Sequence, residues 1–351
     1  MFVRFLKEFS IPVAIVTGTL FYLLFTRVDV LVPAGDAVGP LLCDSMPWGV
    51  FLVLYITFCK INLHDLRPRR WHLWLQLSRL AMALVIIAAM LIAHHAATSG
   101  SDLFIADPSI QIILIGCFAC IICPTASAAA VVTDKLGGDI TSLTVFTIMD
   151  CVVTSILIPL FFPLLNSLSG TPSALPQMGQ EMAAGGISSM LANSGELFFA
   201  VLKSAVGVLI APLVLALLTR WILPAAYARI RSTKNIAFYL WCYNLAVVVG
   251  ITIHNILASH CPAPTLALLI IAPAIVAIAL FATGKAIARP YGENIAGGQA
   301  LGQKNTVVAI WLTVTFLNPL AGVAPGAYVI WQNLINAWQL WYKEKYGYVR
   351  W

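Results

Sequence analysis

Three ionisable side chains lie deep within long apolar stretches of the sequence, where charged residues are otherwise rare. They are Arg79, Asp150 and Lys304. A charge at the centre of a membrane-spanning helix costs about 2.5–3.5 kcal/mol, so residues of this kind mark ion or substrate pathways by default. We expect Lys304 and Asp150 to pair, which would place a fixed ammonium in the apolar interior. A purely structural ion pair and the absence of any contact are the alternatives.

Asp150 belongs to a polar stripe in an otherwise apolar segment. Its members recur at three- and four-residue spacing, which places them on one face of a helix. They are Thr144, Thr147, Asp150, Cys151 and Thr154. A polar face of this kind is typical of a helix that lines an internal site.

The elements that must position these residues are membrane-spanning helices. Of the 351 residues, 60% are hydrophobic and only 10% are charged, whereas a soluble domain carries about 25% charged residues. About 20 apolar residues cross the hydrocarbon, so a chain of this length accommodates about ten spans. The net charge of +6 collects in short loops, which indicates topology rather than nucleic-acid binding.

Apolar runs separated by charged or turn residues predict the ten spans. Their approximate ranges are 10–26, 47–64, 72–96, 109–135, 140–165, 197–222, 235–258, 265–287, 296–317 and 323–342. No small-x-small cleavage site follows the first run, so we interpret it as a span and not as a secretory signal.

The charges of the loops predict the orientation of the chain. With a cytoplasmic N-terminus, the basic loops 65–71 and 223–234 lie on the cytoplasmic side. The loops of the other side carry mostly acidic residues, with Arg27 their only basic residue. This is the positive-inside asymmetry. It predicts a multi-pass plasma-membrane protein, in the bacterial inner membrane, with both termini cytoplasmic.

The spans fall into two halves, 1–168 and 197–351, joined by a Ser-, Gly- and Pro-rich periplasmic or extracellular loop over 169–196. Five spans per half force the halves to insert in opposite directions, as inverted repeats. The fourth span of each half is interrupted, at 123–127 and at 302–305. Broken helices at matching positions point to a binding site near the membrane midplane. Alternatively, proline and glycine are simply commoner in membrane helices.

Uncharged polar residues near the two breaks are the candidates for contacts with a substrate. They are Ser127, Thr147, Gln303, Asn305, Thr306 and Asn333. The N-termini of the half-helices add partial positive charge and free N–H groups, which favour an anionic ligand. Some of these side chains are needed to satisfy the unwound backbone. We expect the coupling of transport to involve Lys304, Asp150 and Arg79.

Four short stretches carry a resemblance to a known family. They are the run 302–309 (Gly-Gln-Lys-Asn-Thr-Val-Val-Ala), Pro325-Gly326-Ala327, Trp331-Gln332-Asn333, and Cys123-Pro124 with Gly138-Asp139 beyond it. In sequence and order they resemble the bile acid:sodium symporter family. The resemblance implies a core of spans 3, 4, 5, 8, 9 and 10, in which the broken helices cross, and a panel of spans 1, 2, 6 and 7. It also implies sodium-driven transport of organic anions such as bile acids or small carboxylates.

The positions that the resemblance assigns to sodium carry residues unsuited to the ion. They are Arg79, Ala129, Ala130, Leu143, Ala300 and Lys304, where the family has Gln, Ser, Asn, Ser, Glu and Gln. Alanine and leucine side chains offer no oxygen ligand, and a fixed ammonium repels sodium. We therefore expect degenerate sodium sites and sodium-independent transport.

These features predict a secondary transporter that carries a small organic anion by alternating access, with Lys304 in place of the coupling cation. The alternative is a proton-linked ion antiporter that uses Asp150 and Lys304 directly. An enzyme is disfavoured, because the sequence has no nucleophile–base pair, metal-ligand set or cofactor-binding motif. The expected partners are the lipid bilayer and the small anion, without nucleic acid, for a monomer or homodimer.

Overall fold

The fold is almost entirely helical. The computed structural model describes residues 10–60, 67–100, 105, 107–169, 187–233, 236–258 and 261–349. No β-strand occurs among these residues, apart from one isolated bridge between two loops. The predicted all-α class is confirmed for this part of the chain.

Among the described residues, six helices precede the predicted central loop. They are α1 (Ser10–Arg27), α2 (Val32–Cys59), α3 (Arg70–Thr98), α4 (Pro108–Ile122), α5 (Ala128–Leu136) and α6 (Ile140–Ser169). Predicted span 4 thus consists of two separate helices, α4 and α5. Residues 170–186 of the predicted central loop lie outside the described residues.

Eight helices follow. They are α7 (Ile187–Ala205), α8 (Ala211–Ile222), α9 (Pro224–Ser232), α10 (Ile236–Ala258), α11 (Ala263–Ala288), α12 (Asn294–Gly302), α13 (Thr306–Phe316) and α14 (Val323–Tyr346). A π-helical segment, Val206–Ile210, joins α7 to α8. Predicted span 9 is again two helices, α12 and α13.

Several helices have the length and composition of membrane spans. Within the described residues, five stretches are long and apolar enough to cross a bilayer. They are Val32–Cys59, Arg70–Thr98, Ile140–Ser169, Gly195–Ile222 and Ala263–Tyr291. Shorter apolar helices include Pro108–Ile122 and Thr306–Phe316. These elements are those of an all-α membrane protein.

Two helices begin earlier than their predicted spans. Helix α2 starts at Val32 and continues through Pro40 and Pro47, whereas the apolar run predicted a start at about 47. Helix α7 starts at Ile187 and not at about 197, so the end of the predicted central loop is helical. Both added segments contain small and polar residues, which lower the mean hydropathy although the chain is helical there.

The chain divides into two compact units. One comprises residues 1–61 and 206–261, and the other comprises residues 62–205 and 262–351. Each unit combines segments from both predicted halves, so neither corresponds to one half. Predicted span 6 is divided between the units, since its residues 197–205 belong to the larger one and its residues 206–222 to the smaller one.

In the smaller unit, α10 packs against α1 and α2, and α8 packs against α2. Small residues permit these close contacts, since a Cβ atom at Gly18 would lie 3.0 Å from Cβ of Val249.

In the larger unit, the short helix α12 lies at the centre. It packs mainly against α11 and also contacts α3, α5 and α6. Helices α11 and α12 form a hairpin through Gly284 and Gly297, where a side chain on Gly297 would lie 2.5 Å from the carbonyl oxygen of Gly284. This hairpin brings the second helix break into the interior of the unit.

Candidate functional site

The two helix breaks meet within the larger unit. Thr125 and Lys304 form an isolated antiparallel bridge. Two backbone hydrogen bonds flank it: Ala126 N–H donates to the Gln303 carbonyl at 2.9 Å, and Asn305 N–H donates to the Pro124 carbonyl at 2.8 Å. Each break therefore satisfies backbone groups of the other, as an apolar interior requires. We call residues 123–127 and 303–305 together the crossing.

Local chemistry explains why both helices stop at the crossing. Pro124 has no N–H to donate and disfavours helical backbone at the residue before it, and Cys123 is accordingly extended, at φ −63° and ψ 149°. At the second break, Gln303 is also extended. Side chains of α14 hold this break: the Gln332 side-chain oxygen accepts from Lys304 N–H at 2.8 Å, and the Tyr328 hydroxyl donates to the Gly302 carbonyl at 2.7 Å.

A buried ion pair lies directly beside the first break. Arg79 Nη1 lies 2.6 Å from Asp150 Oδ1, and both side chains are fully buried. The same carboxylate oxygen accepts from Gln76 Nε2 at 2.8 Å. The other oxygen, Oδ2, accepts from Thr125 N–H at 2.7 Å, and the Thr125 hydroxyl lies 2.9 Å from it. The Asp150 carboxylate thus links α3, α6 and the crossing.

Arg79 distributes its donors among several acceptors. Nη2 donates to Gln76 Oε1 at 2.7 Å, and Nη1 donates to Thr154 Oγ1 at 2.9 Å. Nη1 also lies 3.3 Å from the carbonyl oxygen of Ile122, the last residue of α4. That carbonyl has lost its helical partner because α4 ends there. The guanidinium therefore satisfies the broken helix end as well as the carboxylate.

Lys304 does not pair with Asp150, so that prediction is wrong. Lys304 is 1% exposed, and its Nζ has no hydrogen-bond partner among the described residues. The planar guanidinium of Arg79 offers several donors in fixed directions, and it occupies the carboxylate together with Gln76 and Thr125. Within the described residues, the Asp150 carboxylate is therefore occupied without any contribution from Lys304.

Three of the six predicted substrate-contact residues lie at the crossing, and a fourth, Thr306, follows it directly. Ser127 precedes α5 and is half-buried. Gln303 is buried, and its Oε1 accepts from Asn336 Nδ2 at 3.2 Å. Asn305 Oδ1 accepts from Val308 N–H at 3.4 Å and caps α13. Thr306 is the buried first residue of that helix.

The other two predicted contact residues bond within their own helices. The Thr147 hydroxyl donates to the Leu143 carbonyl at 3.0 Å. Asn333 Nδ2 donates to the Val329 carbonyl at 2.7 Å. No hydrogen bond within the described residues connects either side chain to the crossing.

Sequence reasoning missed two residues of the network, Gln76 and Thr125. Gln76 lies three residues before Arg79 on the same face of α3, so a polar pair at helical spacing in an apolar run was an available signal. Thr125 lies inside the first break, and its contacts with Asp150 and with the Ala300 carbonyl at 2.6 Å depend on the approach of two distant segments.

A second charged cluster joins three helix starts away from the crossing. Arg69 precedes α3 and bonds both Asp139, at 2.9 Å before α6, and Glu293, before α12. Burial raises the pKa of Glu293, which the Arg69 guanidinium opposes. Gly138-Asp139, one of the stretches that carry the resemblance, thus contributes to an exposed polar contact between elements.

No protein-family model matches this chain, and no curated protein matches it. The geometry of the crossing is therefore the basis of the proposed function.

Proposed function

We propose that the chain is a secondary carrier of a small organic anion, and that it works by alternating access without sodium. The proposed architecture is ten spans in two inverted five-helix repeats, resembling the bile acid:sodium symporter family. We place it in a plasma membrane, such as the bacterial inner membrane, with both termini cytoplasmic.

The observation that carries the proposal is the unpaired ammonium of Lys304 at the meeting point of two broken helices. A buried charge without a counterion is costly, so the group either binds an anion or gives up its proton. Asp150 does not serve as the counterion, because Arg79 already pairs with it. A carboxylate of the substrate supplies the missing negative charge.

The same position explains the independence from sodium. An ammonium at Lys304 supplies, as part of the protein, the positive charge that a bound cation would bring. Ala129 and Ala300 are fully buried nearby, and their side chains contribute no oxygen atom to a cation. An anion that binds at the crossing therefore meets a positive charge that the protein itself supplies.

The alternative, a proton-linked antiporter, requires carboxylates that bind and release protons during the cycle. Both oxygens of the Asp150 carboxylate are already occupied by donors of Arg79, Gln76 and Thr125. This arrangement favours the anion carrier, with Asp150 and Arg79 maintaining the crossing.

The test is ligand-dependent stability of the purified protein. Acetate, benzoate and larger carboxylates are added in potassium buffer without sodium, and the unfolding temperature is measured. A ligand at 100 times its Kd stabilises the native state by about 2.7 kcal/mol. Lys304→Gln should lose the stabilisation by benzoate and the larger carboxylates. Lys203→Gln, which removes an exposed lysine of α7, should retain it.

Uptake into proteoliposomes completes the test. Carboxylates that stabilise the protein should be transported in potassium buffer, and replacing potassium with sodium should leave the rate unchanged. A strict sodium requirement, or full ligand stabilisation of Lys304→Gln, would contradict the proposed mechanism.

A further inference from the structure

A second buried lysine lies on the hairpin of α11 and α12. Lys285 is in the last turn of α11, is 8% exposed, and its Nζ has no hydrogen-bond partner among the described residues. A lysine one turn from a helix end normally extends its ammonium to water. Lys285 instead turns inward, which calls for a physical reason.

Gly298 makes room for this inward conformation. A Cβ atom at Gly298 would lie 2.7 Å from Cγ and 3.0 Å from Cε of Lys285. The lysine stem therefore lies across the bare backbone of α12, where any larger residue would displace it. The inward lysine and the glycine are complementary parts of one packing arrangement.

Further polar groups without a hydrogen-bond partner lie along the face of α12 that carries Gly298. Ile295, Gly298, Gln299 and Gly302 share that face by their three- and four-residue spacing. Gln299 Nε2 lies 3.3 Å from Gln339 Oε1, whereas one donor, Gln339 Nε2, and one acceptor, Gln299 Oε1, are buried without a partner among the described residues.

The third unsatisfied donor is the hydroxyl of Thr133. Methyl groups of Thr133 and Ile295 both lie 2.8 Å from the position of a Cβ atom at Gly138, which places Thr133 at the Ile295 end of that face. The Thr133 hydroxyl is fully buried and has no partner among the described residues. One face of α12 is thus bordered by an ammonium, an amide N–H₂ and a hydroxyl that all have unused donors.

We propose that this face of α12 holds a second anion site, centred on Lys285, for a small monovalent anion such as chloride or a carboxylate. Unused donors and a buried positive charge match an acceptor-only ligand. The nearby carboxylates are engaged elsewhere, Asp150 by Arg79 and Glu293 by Arg69. Thr133 and Gln339 supply the remaining hydrogen bonds. This site is separate from the one proposed at Lys304.

The experiment compares the unfolding temperature of the purified chain in chloride, in acetate and in a bulky sulfonate at equal ionic strength. The wild type should unfold at a higher temperature in chloride or acetate. Lys285→Met should lose the increase in chloride, and its increase in acetate should fall to the part that Lys304 supplies, while Lys203→Met should retain both. Stabilisation by chloride alone would identify an inorganic ion, and stabilisation by acetate alone would identify a carboxylate.

Gly298→Ala provides a second variant that keeps the lysine but displaces it. It should lose the anion response as Lys285→Met does. An unchanged response in both variants, or no anion response in the wild type, would overturn the proposal. Lys304→Gln separates the two sites: if it abolishes the whole response while Lys285→Met abolishes none, the inference fails and the proposed function stands. The reverse result would support Lys285 and contradict the anion site at Lys304.

Discussion

At the residue scale, the choice of partner for Asp150 determines the charge of the crossing. Arg79 reaches the carboxylate, Thr154 and the free carbonyl of Ile122 from one guanidinium. An ammonium is a compact point charge on a flexible stem and cannot make such divergent contacts in fixed directions. Lys304 Nζ is consequently left without a hydrogen-bond partner among the described residues, as the proposed anion site requires.

This arrangement predicts strong coupling between Arg79 and Asp150. Arg79→Gln or Asp150→Asn alone should destabilise the protein by about 3–5 kcal/mol, because each leaves a buried charge without its partner. The double variant should recover much of that loss. The coupling energy is read from a double-mutant cycle on thermal stability.

The control is a second double-mutant cycle that combines Lys304→Gln with Asp150→Asn. Its coupling energy should be smaller than that of the Arg79–Asp150 cycle, because no ion pair joins Lys304 to Asp150. Equal coupling in the two cycles would mean that Lys304 and Arg79 share the carboxylate in solution.

At the scale of elements, the hairpin of α11 and α12 depends on glycines that admit a close approach. A side chain on Gly302 would collide with the ring of Phe281. Gly302 also ends α12 immediately before the second break. Packing at this position therefore sets the position of the break and of Lys304 relative to α11.

Gly302→Ala should destabilise the protein by about 1–3 kcal/mol, the typical cost of overpacking a filled interior. Adding Phe281→Leu should relieve the collision and restore part of the stability. Thermal unfolding of both variants provides the measurement.

Gly39→Ala in α2 is the control, because a Cβ atom there meets nothing within 4 Å. This control should show no loss of stability. If Gly302→Ala also showed no loss of stability, the ring of Phe281 would have to move freely. The tight contact between Phe281 and α12 would then be refuted.

At the scale of the whole molecule, each compact unit combines segments from the two predicted halves. Inverted repeats require that successive spans alternate in direction, with the basic loops on one side. The ends of α3 and α9 test this requirement, since Ser99 follows α3 and Ser232 ends α9, and both are exposed.

Single cysteines at these two positions should be labelled from opposite sides of the membrane. After replacement of the eight native cysteines, Ser232→Cys should react only when a membrane-impermeant maleimide reaches the cytoplasmic side. Ser99→Cys should react from outside in intact cells. Labelling of both from the same side would contradict the ten-span topology.

The sequence alone determined the helical class and the positions of both helix breaks, because these depend on local chemistry. Proline at 124, and glycine with polar residues at 302–305, interrupt apolar runs whatever surrounds them. The bounds of α1, α6, α10 and α11 also agree closely with the apolar runs. The early starts of α2 and α7 were missed, because small and polar residues carry little hydropathy even when they are helical.

Only the tertiary structure decided which charges meet. The sequence placed Arg79, Asp150 and Lys304 deep within their spans, but the distances between their charged atoms depend on how α3, α6 and the second break approach one another. The roles of Thr125 and Gln76, and the inward conformation of Lys285 over Gly298, have the same origin. Hydropathy and helical spacing can be read from one segment of the sequence. An ion pair depends on the distance between two segments that are far apart in the sequence, and only the fold sets that distance.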